Sequence, residues 1–281
     1  MPLVWLITGT SSGLGHELVE LLLDRGDYVI ATARSLNNIQ NLPNSSNLRL
    51  QQLDVTDGAA AIKSKVEEAV AHFGRIDVLV NNAGSGLKGL TEEGGSYLIR
   101  AQFEVNVFGQ IDVTQAVLPY MRARRSGTIV FVGSRSSWSP ENISTGIYGA
   151  SKGALRILAE TLAQEVASFS IRVLIVEPAL VRTGVFDRPY YKGNEISDYD
   201  EMRQRTEEMH NTVVLPNDPR KVMQAVADVV KGEGKAEGKS WPLYLPLCPE
   251  TEASVRKKCA MMTEVLDEWK DVIRDTRFEE A

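Results

Sequence analysis

Six short runs, most of them predominantly apolar, are separated by stretches of helical periodicity, and this constrains the chain more than any other feature. The runs fall at 3–7, 28–33, 48–53, 78–80, 128–132 and 171–176. A run that is apolar without alternation is the pattern of a strand buried on both faces. Between the runs, Leu14, Leu18, Leu21 and Leu22 recur at helical spacing, and Gly26 closes that helix. Ile62, Val66, Ala69, Val70 and Phe73 line a second helical face, ended by Gly74. Helices are predicted again over about 96–124 and 148–169. Strands that alternate with helices in this way make a parallel sheet with right-handed crossovers, so the expected fold is α/β, a doubly wound parallel sheet. No repeat or linker divides the 281 residues, and a single domain over 1–281 is expected.

Two segments break the rhythm. Residues 184–217 are polar and aromatic with no strand signal, and an insertion after the sixth strand is placed to form a lid over the carboxyl ends of the strands. Residues 249–281 read as a charged amphipathic helical extension carrying Val255, Cys259, Met262, Leu266 and Trp269.

Composition excludes several classes of function. The net charge is −6 and no dense basic block occurs, which argues against nucleic acid as a partner. Arg122, Arg124 and Arg125 read as the cationic end of a helix. No apolar run approaches the ~20 residues of a membrane span, and the first run lacks a basic leader and a cleavage site. The two cysteines, Cys248 and Cys259, form no CxxC pair and fit a reducing, cytoplasmic compartment. His16, His72 and His210 are scattered, so neither a zinc site nor a histidine-based triad is expected.

The first run leads into ITGTSSGLG, in which Gly9, Gly13 and Gly15 stand between a strand and a helix. Gly9 permits the turn, Gly13 lets the backbone approach a pyrophosphate, Gly15 lets the helix pack on the strand, and the helix N-terminus supplies N–H groups and positive dipole. Alone the glycines are equally consistent with a tight turn without ligand. Asp54, at the end of the third run, adds an acid placed to accept from an adenine amino group.

TGTSSGLG, LDVTD, NNAG, the asparagine of VNVFG and YGASK, all in order within about the first 185 residues, resemble the short-chain dehydrogenase/reductase family. The resemblance implies a Rossmann-type sheet of seven strands in the order 3-2-1-4-5-6-7, the seventh near 244–245. It also implies a dinucleotide held by Gly9, Ser11, Ser12, Gly13, Leu14, Gly15, Asp54, Val55, Asn81, Ala83 and Gly84, with Pro178, Val181 and Thr183 from EPALVRTG. Ala179 replaces the glycine usual in that motif. At the end of the second strand, where NAD-dependent members carry an acid, this chain has Ala33 followed by Arg34. An arginine pairs with a 2′-phosphate that a carboxylate would repel, so NADP(H) is expected, with Ser11 and Ser12 near the same phosphate. The basic residue that some NADP-dependent members carry in the glycine loop is replaced by Ser12.

Tyr148 and Lys152 are one helical turn apart, and an ammonium beside a phenol favours the phenolate. Tyr148 can then pass a proton to a carbonyl or take one from an alcohol. By resemblance Lys152 also binds the nicotinamide ribose, and Asn106 is the asparagine whose backbone holds a proton-relay water. A hydroxyl must steady the developing oxyanion. Ser134 directly follows the fifth strand and is preferred, but it lies one residue further from Tyr148 than the family spacing, and Ser136 one nearer. The expected activity is hydride transfer on a small carbonyl or alcohol substrate; the alternative is a cofactor-sensing regulator without turnover. Tyr190, Tyr191, Phe186, Tyr199 and Trp138 point to an apolar or aromatic substrate. The helix from about Tyr148 has apolar residues on more than one face, which predicts a two-fold homo-oligomer, dimer or tetramer, through it and the preceding helix. The tail is expected to block a second interface and favour the dimer.

Overall fold

The computed structural model describes residues 1–139, 143–184, 187 and 189–278. Seven strands form one sheet: β1 (Val4–Ile7), β2 (Tyr28–Ala33), β3 (Leu48–Gln52), β4 (Val78–Asn81), β5 (Gly127–Val132), β6 (Ile171–Glu177) and β7 (Tyr244–Pro246). All pairs are parallel, in the order β3-β2-β1-β4-β5-β6-β7. The helices are α1 (Gly13–Asp24), α2 (Ala59–Phe73), α3 (Thr91–Phe103), α4 (Gly109–Arg124), α5 (Gly146–Val166), α6 (Asp200–Thr212), α7 (Pro219–Lys231), α8 (Pro249–Glu268) and α9 (Lys270–Arg274).

The unbroken apolarity of the strands has a direct cause. Trp5 and Ile7 point to the side where Leu18, Leu22, Val226 and Val230 pack, whereas Val4 and Leu6 meet Ile62, Val66, Val117 and Leu155 on the other. Both faces are core, so successive residues must both be apolar. Each such side chain contributes about 1.5–3 kcal/mol by leaving water. Gly74 ends α2 in the left-handed conformation, as its place in the sequence predicts.

The helical stretch expected over 96–124 is less regular than its sequence. Its first turn, from Thr91, is set off by a kink at Gly95, and Glu104–Phe108 form a π turn between α3 and α4. The widened turn shifts the Gly109 N–H to Glu104 O.

The described residues of the segment over 184–217 make several contacts with the body of the protein. Tyr190 bridges to Lys88, and Asn217 to Val181. Arg203 of α6 is buried and pairs with Glu93 and Asp200, and the Tyr199 hydroxyl donates to Glu92 at 2.6 Å. At the other end of α6, His210 lies 3.1 Å from Ser144. Phe186 lies outside the described residues.

Candidate functional site

The motifs meet at the carboxyl ends of β1, β4, β5 and β6. After β1 the chain turns at Gly9, whose φ of 71° is left-handed. An added Cβ at Gly15 would come within 2.5 Å of Gly9 O and Asn82 Nδ2. Gly15 therefore lets α1 approach the glycine loop itself, where the spacing had predicted packing on the strand. Ser12 precedes α1 without a side-chain cap bond, and no acid stands in the first turn. Open N–H groups at a positive helix end suit a phosphate. Ser11 and Ser12 are exposed there, Leu14 packs against the core, and a Cβ on Gly13 would lie 3.2 Å from Thr183.

Around this loop, Arg34 leaves β2 exposed, and its carbonyl accepts from Gln52 Nε2 at 3.0 Å. Asp54 Oδ1 accepts the Thr56 N–H at 3.0 Å and its hydroxyl at 2.8 Å, which leaves Oδ2 for the expected adenine contact. Val55 is buried behind it against Gly109. Beyond β6, the strained residue of EPALVRTG is Leu180, with φ of 45°, so the freedom missing at Ala179 is not needed at that position. Arg135 N–H donates to Pro178 O at 3.1 Å, joining this segment to the turn after β5. Val181 is buried, and Thr183 N–H closes a tight turn onto Val181 O at 2.8 Å.

The loop after β4 is held by a stripe of which the sequence pointed only to Asn106. Gln102, Asn106, Gln110 and Thr114 are spaced four apart and buried. Gln102 accepts from Leu87 N–H at 2.8 Å and donates to Ser85 O at 2.6 Å. Asn106 accepts from Ser85 N–H at 3.0 Å and donates to Ser85 O and to Ser151 Oγ. Gln110 donates to Ala83 O at 2.8 Å, and Thr114 accepts from Asn81 Nδ2 at 2.7 Å. In a regular helix, residues four apart drift around the axis; the π turn offsets that drift and keeps the stripe on one line. The Asn81 side-chain amide N–H is thereby directed to α4, while its Oδ1 is buried without a hydrogen-bond partner. Its neighbour Asn82 reaches the glycine loop instead, donating to Thr8 O and Gly9 O, each at 2.9 Å.

Ser134 follows β5 and opens a short 3₁₀ turn, Arg135–Ser137. Its Oγ accepts the Ser136 N–H at 3.1 Å and hydrogen-bonds with the Tyr148 side chain. Ser136 contributes its backbone, packed against Gly149. Lys152 Nζ donates to Val132 O at 2.7 Å and lies 5.9 Å from the centre of the Tyr148 ring. A Cβ on Gly84 would come 3.3 Å from Asn106 Oδ1 and 3.6 Å from Lys152 Nζ, so the NNAG loop, Asn106 and Lys152 adjoin.

The electrostatics differ from the expectation of a lowered phenol. Burial pushes Tyr148 above its ordinary value, and the bond with Ser134 opposes this only in part. Burial also lowers Lys152 to about 8. Both groups lose solvation, and the Lys152 ammonium is directed at the Val132 carbonyl, so desolvation outweighs the mutual attraction.

Trp138 does not join the lid tyrosines. Its indole donates to the buried Glu177 at 2.6 Å, beside Ser137 Oγ at 2.8 Å, and Arg156 stacks 3.9 Å over its ring. It supports the serine turn from behind. Tyr191 lies 6.1 Å from Tyr97, Tyr190 is buried beside Lys88, and Tyr199 sits at the rim. Among the described residues no helix is long and apolar enough to cross a membrane.

Fold and site together define a dinucleotide-dependent class, and comparison makes the family plain. Residues 3–190 match the family described as short chain dehydrogenase. A 3-ketodihydrosphingosine reductase of Bacteroides thetaiotaomicron is 36% identical over 186 residues, 66% of this chain and 66% of that protein. The matching part thus spans about two thirds of that relative's own length. The solved structure of a short-chain dehydrogenase from Streptomyces avermitilis superposes with a TM-score of 0.87 at 35% identity, covering 99% of this chain and 100% of that one. A serine dehydrogenase complexed with NADP+ gives 0.70 at 29% identity over 89% and 96% of the two chains. The protein belongs to the short-chain dehydrogenase/reductase family.

Proposed function

We propose that this protein is an NADP(H)-dependent oxidoreductase acting on the carbonyl/alcohol carbon of a small apolar or aromatic substrate. The observation that carries the proposal is the hydrogen bond between Ser134 and Tyr148, with Lys152 at 5.9 Å from the ring, beside an open glycine loop. Bound nicotinamide supplies or accepts the hydride. Tyr148, kept protonated by burial, donates its proton to the carbonyl oxygen during reduction and receives it back during oxidation. Ser134 donates to the same oxygen as its charge develops. Lys152 holds the nicotinamide ribose and, once desolvation is relieved by ligand hydroxyls, the charge that favours proton transfer. Asn106 fixes the loop at Ser85 and ties it through Ser151 to the first turn of α5. The remaining cofactor contacts fall to Gly9, Ser11, Ser12, Gly13, Leu14, Gly15, Asp54, Val55, Ala83, Gly84, Pro178, Val181, Thr183 and the backbone of Asn81.

Within this reading residues 184–217 act as the lid, latched by Arg203 on Glu93 and His210 on Ser144. The free thiols of Cys248 and Cys259 fit a cytoplasmic setting. The exposed Phe108, Ile157 and Leu158 support a two-fold contact through α4 and α5.

Arg34 sets the cofactor preference. Arg34→Ala weakens NADPH binding by about 1.5–3 kcal/mol, the loss of one charge-assisted pair, and leaves NADH binding nearly unchanged. Calorimetric titration with both dinucleotides checks this. Tighter binding of NADH than NADPH by the wild type would overturn the assignment.

A further inference from the structure

Glu177, the last residue of β6, takes no part in the proton or hydride steps, yet its carboxylate is buried, with the residue only 1% exposed. Its two oxygens serve two neighbouring residues of one turn. Oε1 lies 2.8 Å from the Ser137 hydroxyl, and Oε2 accepts the Trp138 indole N–H at 2.6 Å. The Ser137 hydroxyl has a second acceptor in Ser134 O at 2.9 Å. A carboxylate is the stronger acceptor, and Ser134 O keeps the Ser137 N–H at 3.1 Å. Gly133 makes room for the arrangement, since a Cβ there would come 3.0 Å from Glu177 Cγ.

A buried charge is costly unless its lone pairs are met. Burial pushes Glu177 above the usual carboxylate range, against the opposing pull of the Trp138 and Ser137 hydrogen bonds and of Arg156. Arg156 stacks 3.9 Å over the Trp138 ring, with its Nε 3.6 Å from Glu160, so the turn, α5 and β6 share one set of charges. Two donors side by side need two acceptor atoms, and only a carboxylate offers two without a donor of its own. The turn held in this way opens on Ser134, whose Oγ takes the Ser136 N–H, and Arg135 N–H ties it again to β6 at Pro178 O. Fixing Ser137 and Trp138 therefore fixes where the Ser134 hydroxyl stands. An oxyanion donor works only at hydrogen-bond distance from the reacting oxygen, and a misplacement of about 1 Å costs on the order of 10²-fold.

We infer, on the reading of Ser134 and Tyr148 proposed above, that Glu177 is a positioning residue: through Trp138 and Ser137 it holds the Ser134 hydroxyl where it meets Tyr148 and the reacting oxygen. It acts through the turn and needs no contact with substrate or cofactor.

Glu177→Gln keeps the volume and one acceptor oxygen but turns an N–H towards one of the two donors. Its kcat for carbonyl reduction should fall about tenfold or more, with KM and NADPH affinity within about twofold of the wild type. Trp138→Phe, which keeps a ring under Arg156 and removes only the donor, should act in the same direction and less strongly. Added to Ser134→Ala, Glu177→Gln should cost nothing further, because the hydroxyl that it places is already gone. A merely structural Glu177 would add its full loss in that background. Independently of turnover, the ¹³C resonance of the Tyr148 phenol carbon, identified by its disappearance in Tyr148→Phe, should move in Ser134→Ala and move the same way in Glu177→Gln. Should Glu177→Gln fail to fold by circular dichroism, the same readings on Trp138→Phe decide. An unchanged kcat, a further loss in the Ser134→Ala background, or an unmoved Tyr148 resonance would each overturn the inference. A wild type inactive on every carbonyl would overturn the proposed reaction instead, and the placing of Ser134 by Glu177 would then stand or fall on the Tyr148 resonance.

Discussion

Tyr148→Phe should reduce turnover by about 10²–10⁴-fold or more while leaving NADPH affinity within a factor of a few. The phenylalanine fills the same buried volume, so the fold is preserved; only the hydroxyl is removed. What disappears is the proton donor and the partner of the Ser134 hydroxyl. The effect should fall on kcat, because the hydroxyl acts on the reacting oxygen and not on the phosphates or the adenine. A variant that keeps half of the wild-type kcat would remove Tyr148 from the chemistry.

The second large effect separates two serines that the sequence leaves in competition. Ser134→Ala should slow turnover by roughly 10²–10³-fold through loss of one oxyanion donor. Ser136→Ala should change it little, since Ser136 meets Ser134 through its backbone N–H, which alanine retains. Single-turnover rates at saturating NADPH are the measurement. A dead Ser136→Ala beside a normal Ser134→Ala would reverse the roles and would mean a one-residue deletion, not an insertion, between β5 and α5. The hydrogen bond between Ser134 and Tyr148 argues for the insertion, because Ser134 meets Tyr148 despite the extra residue between them.

The sheet was readable because burial on both faces leaves a plain mark: Val4-Trp5-Leu6-Ile7 has no polar residue to alternate with. The helix ends were readable where glycine closes them, as at Gly74. The π turn was not, since nothing in EVNVF distinguishes it from an α-helical segment; its cause is the alignment of four polar side chains with a loop far away in sequence. Those four did leave a signal. Polar residues at 102, 106, 110 and 114 in an otherwise buried helix are a stripe with a purpose, and reading only the apolar positions passes over it.

Side-chain direction accounts for most of the other differences. Asn81 and Asn82 are adjacent in NNAG, yet one faces α4 and the other the glycine loop, because successive residues leaving a strand point to opposite sides. Trp138 read as a substrate aromatic, but a buried carboxylate at Glu177 claims its indole N–H. The pKa argument from Tyr148 and Lys152 spacing counted their attraction and left out the desolvation of both. The tail was legible as amphipathic; that its described residues from 259 onward are all exposed was not.

The central claim is hydride transfer through this site. The most direct measurement incubates the protein with NADPH deuterated at the transferring position of the nicotinamide and a panel of ketones and aldehydes, and reads the products by mass spectrometry. The account predicts an alcohol carrying one deuterium on the former carbonyl carbon, formed by the wild type and reduced at least a hundredfold with Tyr148→Phe. Stoichiometric NADPH binding with no deuterium in any product would contradict it and leave a cofactor-sensing protein without turnover.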